Sequence, residues 1–389
     1  TILGSGLATS PDMATFANGV MIRYLEYNDG YTSKESGHPS DSIAATLTCS
    51  EVGRAGGKGM IVATVLAYEA FCRICDAVDI KPGGFDHVTV GGIASVLGAA
   101  RCLGLTEDQT LQALNLGIAP NLALYQTRIG DVSMWKGCAY ANASRNAVFA
   151  AMLAQRGLTG PSPIFEGEGG YFKAVSRQPF ELEPFGGGDQ PFKIGECSIK
   201  RFPLGQYSQT VVQAALEVRE KLPSVEDIAQ VEVRTLQTAI NIMAGDAEKW
   251  RPTNRETADH SMPYTVAVAL MYGAVDQSHF GDEYLQNQSL LDLTSRVKVS
   301  VSEEANQRAP EAMLCDLEVL TGAGLRFSSQ VAYHNGHFKN PLSDAELEDK
   351  FRSLACGPLS QAQADALLDR LWNMERLADV GELIRLTKF

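Results

Sequence analysis

The N-terminal part of the sequence contains a dense group of polar residues that could carry acid–base chemistry. Glu26 and Asp29 lie three positions apart, as neighbours on one helix face do, and the following glycines predict a loop that carries His38. A carboxylate and an imidazole that converge at a helix end form a common arrangement for a general base. The alternative is a capped helix followed by a solvated loop, because polar loop residues are usually turn formers.

Two further positions place an imidazole or an ammonium where a ligand could reach it. His87 lies between glycine pairs in GGFDHVTVGG, and glycine lets a backbone or a ligand approach closely. Lys136, in SMWKGCAYANASRNA, stands at the start of a helix rich in small residues, where anions bind favourably. A hydrogen-bonded core histidine and an exposed lysine are the simpler alternatives.

The second half of the chain adds two polar pairs. Lys200 and Arg201 precede Phe202-Pro203 at the entry to a second module, and we expect this pair of cations to bind substrate from a hinge. Asp259 and His260 precede the apolar helix PYTVAVALMYG, where a role as helix N-cap would equally explain the aspartate.

Three stretches of different pattern must position these residues. From residue 13 to about residue 160 the chain is rich in small and aliphatic residues with helical spacing, and Pro and Gly in 161–195 mark a boundary. Between about 196 and 335, VEVRT and RVKVSVSEE predict half-buried strands, and LCDLEVL and LRFSSQVAY predict a hairpin. Helical patterns then return. We therefore predict a mainly α protein whose large all-helical domain (1–195 and 336–389) carries an inserted smaller α+β lid domain (196–335).

Composition limits the function classes. Lys and Arg total 33 against 46 Asp and Glu, so the formal net charge of −13 disfavours nucleic acid and anionic membranes as partners. The 8 cysteines are scattered without zinc or iron–sulfur spacing, which favours a reducing compartment and predicts no metal and no cofactor. GxGxxG, P-loop, HExxH and GxSxG motifs are missing. No signal peptide is recognisable, so we expect the cytoplasm, or the mitochondrial matrix if the source is eukaryotic.

The order of motifs along the chain resembles the MmgE/PrpD family. The similarity comprises FANG, YLEYNDGY, GHPSD, GGFDHVTVGG, MWKG, ANASRNA, IKRFP and, most specifically, RETADHSMPYTVAVAL, and it extends over nearly the whole chain. The resemblance implies a large all-helical domain with a smaller α+β lid, usually as a homodimer, and an active site between the two domains. Members include 2-methylcitrate dehydratase, cis-aconitate decarboxylase and an iminodisuccinate epimerase, which act on small polycarboxylates without a metal.

The resemblance also implies which residues lie near the substrate, namely Asp29, His38, His87, Lys136, Asp259, His260 and Tyr264. Two positions depart from the family pattern: Glu26 stands where Asp is frequent, and Tyr207 stands near where dehydratases often have His. Proton removal next to a carboxylate creates an enolate-like dianion, which needs a base and fixed cations. We therefore expect Lys136 to stabilise that charge and His38 and His87 to transfer protons, with Glu26 or Asp29 orienting one of them.

The sequence thus predicts a metal-independent lyase that dehydrates 2-methylcitrate or a closely related tricarboxylate. Decarboxylation of cis-aconitate and epimerisation of an amino-dicarboxylate such as iminodisuccinate are the alternative reactions. A non-catalytic dimeric binding protein with a degenerate pocket is a hypothesis of another class. The expected partners are a small polycarboxylate and a second copy of the chain, paired through small-residue faces of the helical domain.

Overall fold

The computed structural model describes residues 1–389 and is mainly α-helical, as predicted. The long helices of the first half follow the predicted helical spacing, and the last helix of this half is only one turn long. These helices are α1 (Pro11–Tyr24), α2 (Ile43–Gly53), α3 (Gly57–Ala77), α4 (Val88–Leu103), α5 (Glu107–Ile118), α6 (Trp135–Gln155) and the short α7 (Tyr171–Ala174).

Small residues let these helices pack closely. A Cβ atom on Gly19 of α1 would lie 2.9 Å from the Cβ of Ala141 of α6, closer than two carbon atoms can approach. The glycine therefore sets the distance between α1 and α6. This distance matters because α1 ends just before Glu26, and Lys136 stands in the first turn of α6.

The predicted strands and hairpin of the middle stretch are confirmed. The four strands are β4 (Ile228–Thr235), β5 (Val297–Val301), β6 (Cys315–Thr321) and β7 (Arg326–Val331), in the spatial order β5-β4-β6-β7. Strand β5 runs parallel to β4, and the hairpin β6–β7 is antiparallel. The helices of this stretch are α8 (Gln209–Arg219), α9 (Gln237–Met243), α10 (Arg255–Ala258), α11 (Met262–Tyr272), α12 (Asp282–Leu285), α13 (Gln288–Ser295) and α14 (Glu303–Arg308).

A second, small sheet connects the two halves of the chain. Its strands are β1 (Asp29–Thr32), β2 (Ser36–Gly37) and β3 (Ser198–Ile199), with β1 in the centre. The predicted helix through Glu26 and Asp29 is wrong, because α1 ends at Tyr24 and Glu26 adopts a left-handed φ of 50°. The two carboxylates therefore do not share a helix face.

The C-terminal helices pack against the first helices of the chain. They are α15 (Asp344–Ala355), α16 (Gln361–Trp372) and α17 (Gly381–Leu386), and buried residues of α16 and α17 share a core with Leu47 and Met60. A separate core of 35 buried residues lies wholly within residues 204–331. The division into a helical domain and an inserted lid remains a prediction. No helix combines the length and apolar character needed to cross a bilayer.

Truncation in the larger core should destabilise the protein measurably. Leu270 of α11 is fully buried in that core, so Leu270→Ala should lower the free energy of unfolding by about 2 to 5 kcal/mol. Urea denaturation would measure the change. Leu325→Ala is the matched control, because that side chain is 53% exposed and its loss should cost under about 0.5 kcal/mol. Equal effects of the two substitutions would contradict the assigned core.

Candidate active site

A cavity lies between the first helices and the 205–260 segment. Its lining includes four cationic side chains (Lys81, Arg128, Lys136 and Lys249), three histidines (His38, His87 and His260) and the hydroxyl of Tyr207, but no carboxylate. The free volume of the cavity is about 70 Å³, which is room for roughly five waters. The cavity therefore fits a small anion.

A roomier groove of about 450 Å³ lies beside α6, next to Trp135 and Leu124. No ionisable side chain lines it. It therefore offers no group for acid–base chemistry, and the cation-lined cavity is the candidate active site.

The carboxylate of Glu26 stands behind the cavity wall and binds three cations. Its Oε1 lies 2.7 Å from Nη2 of Arg23 and 2.8 Å from Nζ of Lys136, and its Oε2 lies 2.9 Å from Nζ of Lys200. All four side chains are almost completely buried. Burial alone would raise the pKa of Glu26, but the three cations outweigh it and hold that pKa well below its usual value.

Lys136 connects this buried carboxylate with the cavity. Besides Glu26, its Nζ lies 3.4 Å from Oε2 of Glu256, 3.6 Å from Oδ1 of Asp259 and 3.3 Å from Nδ1 of His260. The residue lies in the first turn of α6, whose free backbone N–H groups add positive potential. The predicted position at a helix N-terminus is therefore correct, and the side chain is buried rather than exposed.

His38 has a fixed ring orientation. Its Nδ1 lies 2.6 Å from the backbone oxygen of Asp29, and because a carbonyl only accepts, Nδ1 carries the proton. Nε2 therefore keeps its lone pair, and the protein offers it no hydrogen bond. Burial, Arg23 and Lys200 together hold the pKa of His38 well below its usual value. The Asp29 carboxylate accepts hydrogen bonds from the Ser40 backbone N–H and hydroxyl at 3.2 and 2.6 Å.

His87 packs edge-on against His38, with ring centroids 5.5 Å apart. Its Nδ1 lies 3.4 Å from Oδ1 of Asp86, and its Nε2 lies 3.4 Å from Nη2 of Arg128. An arginine only donates, so Nε2 accepts and Nδ1 is protonated. Burial lowers the pKa of His87 to about 3 despite Asp86, and the imidazole is neutral at pH 7.

Asp259 and His260 form a hydrogen-bonded pair at the cavity wall. Nδ1 of His260 contacts Oδ1 of Asp259, and burial raises the pKa of that carboxyl to about 6. Burial and then Lys136 hold the pKa of His260 well below its usual value. Asp259 is not the helix cap, because the Ser261 hydroxyl accepts the hydrogen bond from the backbone N–H of Tyr264 that caps α11.

Besides the carboxylates of Glu26, Asp29 and Asp259, three predicted residues do not line the cavity. Lys200 is buried behind Glu26 rather than free on a hinge. Arg201 is half-buried, and its backbone oxygen accepts a 2.7 Å hydrogen bond from the Tyr27 hydroxyl. Tyr264 is fully buried in the core, where its hydroxyl donates to the backbone oxygen of His279 at 2.7 Å.

Sequence reasoning missed four cations, namely Arg23, Lys81, Arg128 and Lys249. Arg23 precedes Glu26 by three residues, which is a spacing that could have revealed it. The others stand singly in polar segments, and only the fold shows that they face the cavity. Arg128 is fixed by Asp86, with Nε 2.5 Å from Oδ2, and Lys81 pairs with Glu35. No group of three His, Cys, Asp or Glu side chains is arranged to hold a metal ion.

The neutral state of His87 predicts a pH dependence of stability. The unfolded chain takes up a proton at His87 below about pH 6.5, whereas the folded protein does not until about pH 3. Stability should therefore fall as the pH drops from 7 to 5. His87→Gln should reduce that fall by about 2 kcal/mol, measured by urea denaturation at both pH values. Leu325→Ala removes no titrating group and should keep the full fall, and an unchanged fall in His87→Gln would refute the neutral assignment.

Comparison with known proteins confirms the resemblance. The MmgE/PrpD N-terminal domain matches residues 1–183, and the MmgE/PrpD C-terminal domain matches residues 202–374. The 2-methylcitrate dehydratase of Cupriavidus necator is 26% identical in an alignment that covers 96% of this chain and 81% of that protein. The 2-methylcitrate dehydratase of Escherichia coli K12 is 28% identical, covering 90% of this chain and 76% of that protein. Human cis-aconitate decarboxylase is 24% identical, and the alignment covers 97% of this chain and 79% of that protein. The chain belongs to the MmgE/PrpD family.

Proposed function

We propose that this protein is a hydro-lyase that dehydrates 2-methylcitrate or a closely related tricarboxylate. The observation that carries the proposal is the cavity lined by four cations and three histidines without a carboxylate. In a chain of net charge −13, such a cavity concentrates positive potential against the overall field and attracts a small polyanion. The relatives from Cupriavidus necator and Escherichia coli, both named 2-methylcitrate dehydratase, support this reaction class.

His38 is the proposed base. Its Nδ1–H is held by the Asp29 carbonyl, so Nε2 is the nitrogen free to accept a proton. A neutral imidazole with a fixed ring can take the proton from the carbon next to a substrate carboxylate. His87 has both ring nitrogens engaged, by Asp86 and Arg128, which makes it a neighbour that orients rather than the base.

Lys136 is the proposed electrostatic stabiliser. Proton loss puts negative charge on the carboxylate next to the reacting carbon, and a fixed ammonium at the cavity wall lowers the energy of that state. The ammonium needs no rearrangement during reaction because Glu26, Glu256 and Asp259 already hold it. Pairing with Glu26 does not cancel the positive potential, since Arg23 and Lys200 share the same carboxylate.

The Asp259–His260 pair is the proposed proton donor. Burial raises the pKa of the Asp259 carboxyl to about 6, which brings it close enough to neutral pH for the pair to take up and release a proton during turnover. His260 lines the cavity and can pass that proton to the departing hydroxyl, which leaves as water. The C–H electrons form the new double bond as the C–O bond breaks, and the proton removed from carbon ends on His38. Metal independence is part of this proposal, since none of these steps assigns a role to a metal.

Turnover assays distinguish this proposal from the alternatives. The purified protein, with and without EDTA treatment, would be incubated with 2-methylcitrate while the absorbance of the new conjugated double bond is followed. Decarboxylation of cis-aconitate is the second candidate, because the human relative of that name matches 97% of this chain. Carbon dioxide release from cis-aconitate without any dehydration of 2-methylcitrate would reverse the ranking. Loss of turnover on metal removal would refute metal independence.

Removing the Lys136 ammonium should slow the reaction without unfolding the protein. Lys136→Met should lower kcat/KM by about 10² to 10³-fold, the usual loss for one electrostatic stabiliser. The fold should survive, because Glu26 keeps Arg23 and Lys200 as partners. Steady-state kinetics and thermal melting would be measured together.

The matched control for Lys136→Met is Lys298→Met, which removes an exposed ammonium on β5. It should leave kcat/KM unchanged. Full activity in Lys136→Met with normal melting would show that the stabiliser lies elsewhere.

A further inference from the structure

The four cations of the cavity differ in whether a carboxylate of the protein pairs with them. Lys81 pairs with Glu35, Arg128 with Asp86 through two contacts, and Lys136 with Glu26. Lys249 is different, because no carboxylate oxygen of the protein lies within 4.0 Å of its Nζ. Its ammonium has no hydrogen-bond partner in the protein, although the residue is only 1% exposed.

The main chain of Lys249 is held firmly beside the proton-transfer residues. Its N–H donates to the backbone oxygen of Asp246 at 3.1 Å, and its backbone oxygen accepts from the Ser261 hydroxyl. Ser261 directly follows His260 and caps α11. The side chain therefore enters the cavity from a fixed base.

The surroundings of the ammonium are unfavourable for an isolated charge. Burial lowers the pKa of Lys249, the charge of Lys136 lowers it further, and Asp246 and Asp259 act in the opposite direction from beyond ion-pair distance. Burying an unpaired cation costs free energy unless a counter-ion arrives. Such a group is stable next to a cavity that an anion fills.

We propose that Lys249 binds a carboxylate of the substrate and supplies affinity in the ground state. This inference rests on the proposed function for the identity of the ligand, a small polycarboxylate. Lys136 contacts His260 and so acts where protons move, whereas the Lys249 ammonium makes no hydrogen bond or ion pair with a proton-transfer group. A carboxylate on Lys249 keeps its charge throughout the reaction. Its contact is therefore equally strong in the substrate and in the transition state, and its loss raises KM without lowering kcat.

Binding without turnover gives the sharpest test. Propane-1,2,3-tricarboxylate has no hydroxyl to lose, so titration calorimetry reports its affinity alone. Lys249→Met should raise its Kd by about 10- to 100-fold, the effect of losing one contact to a charged group. Lys249→Arg should stay within about threefold of the wild type, because it keeps the charge. Lys298→Met, on the exposed face of β5, is the control and should bind as the wild type does.

Kinetics on 2-methylcitrate separate a binding role from a structural one. In Lys249→Met, KM should rise by a similar factor while kcat stays within about threefold. A normal Kd and KM in that variant would overturn the inference, as would a kcat loss equal to that of Lys136→Met. Thermal melting identifies a folding defect, in which case Lys249→Gln replaces Lys249→Met in both measurements.

The inference and the proposed function can fail separately. If the wild type dehydrates 2-methylcitrate but Lys249→Met binds propane-1,2,3-tricarboxylate normally, only the role of Lys249 is refuted. If the wild type turns over no polycarboxylate, yet loss of Lys249 weakens binding of that ligand, only the reaction is refuted.

Discussion

The structure of the site depends on the buried carboxylate of Glu26. Three cations from different parts of the chain meet on it: Arg23 from α1, Lys136 from α6 and Lys200 from the segment after β3. Removing the carboxylate would leave these cations buried and mutually repelling, which is the costly outcome for a buried ion pair. Glu26 meets these partners from a left-handed backbone, two residues beyond the end of α1. One interaction thus fixes the proposed stabiliser and joins the two halves of the chain.

The electrostatics of the cavity couple substrate charge to proton transfer. His38, His87 and His260 have lowered pKa values because they are buried and because cations surround them. An arriving polycarboxylate compensates those cations and favours protonation of the imidazoles. Before the ligand binds, the three imidazoles are therefore neutral bases. The negative charge of the bound ligand then raises their pKa values and lets them hold a proton.

Local patterns predicted much of the fold but little of the charge network. The hairpin β6–β7 and the strands β4 and β5 followed from alternation with period two, and the long helices followed from helical spacing. The helix through Asp29 was wrong, because α1 ends at Tyr24 and Asp29 begins β1, which pairs with the distant strand β3. Lys200 was expected on a hinge but lies buried on Glu26. Sequence spacing could not reveal this pairing, because the two residues are 174 positions apart. Arg128 and Lys249 gave no signal, since pairing and burial depend on positions that sequence spacing does not encode.

The small sheet has a consequence for the biosynthesis of the protein. Strand β1 pairs with β3 through Asp29 with Ile199 and Gly30 with Ser198, so its central strand lacks one neighbour until about residue 200 has been made. Lys200 directly follows β3, and the Asp259–His260 pair is made later still. Contacts of such long sequence separation form slowly, and the edge of β1 stays unpaired until they form. During translation the N-terminal helices can pack early, with Arg23 and Lys136 already on Glu26, but the emerging chain carries half a site. Affinity for an anionic ligand therefore appears only after residue 260 has been made, and the ligand itself can then stabilise the newly closed site.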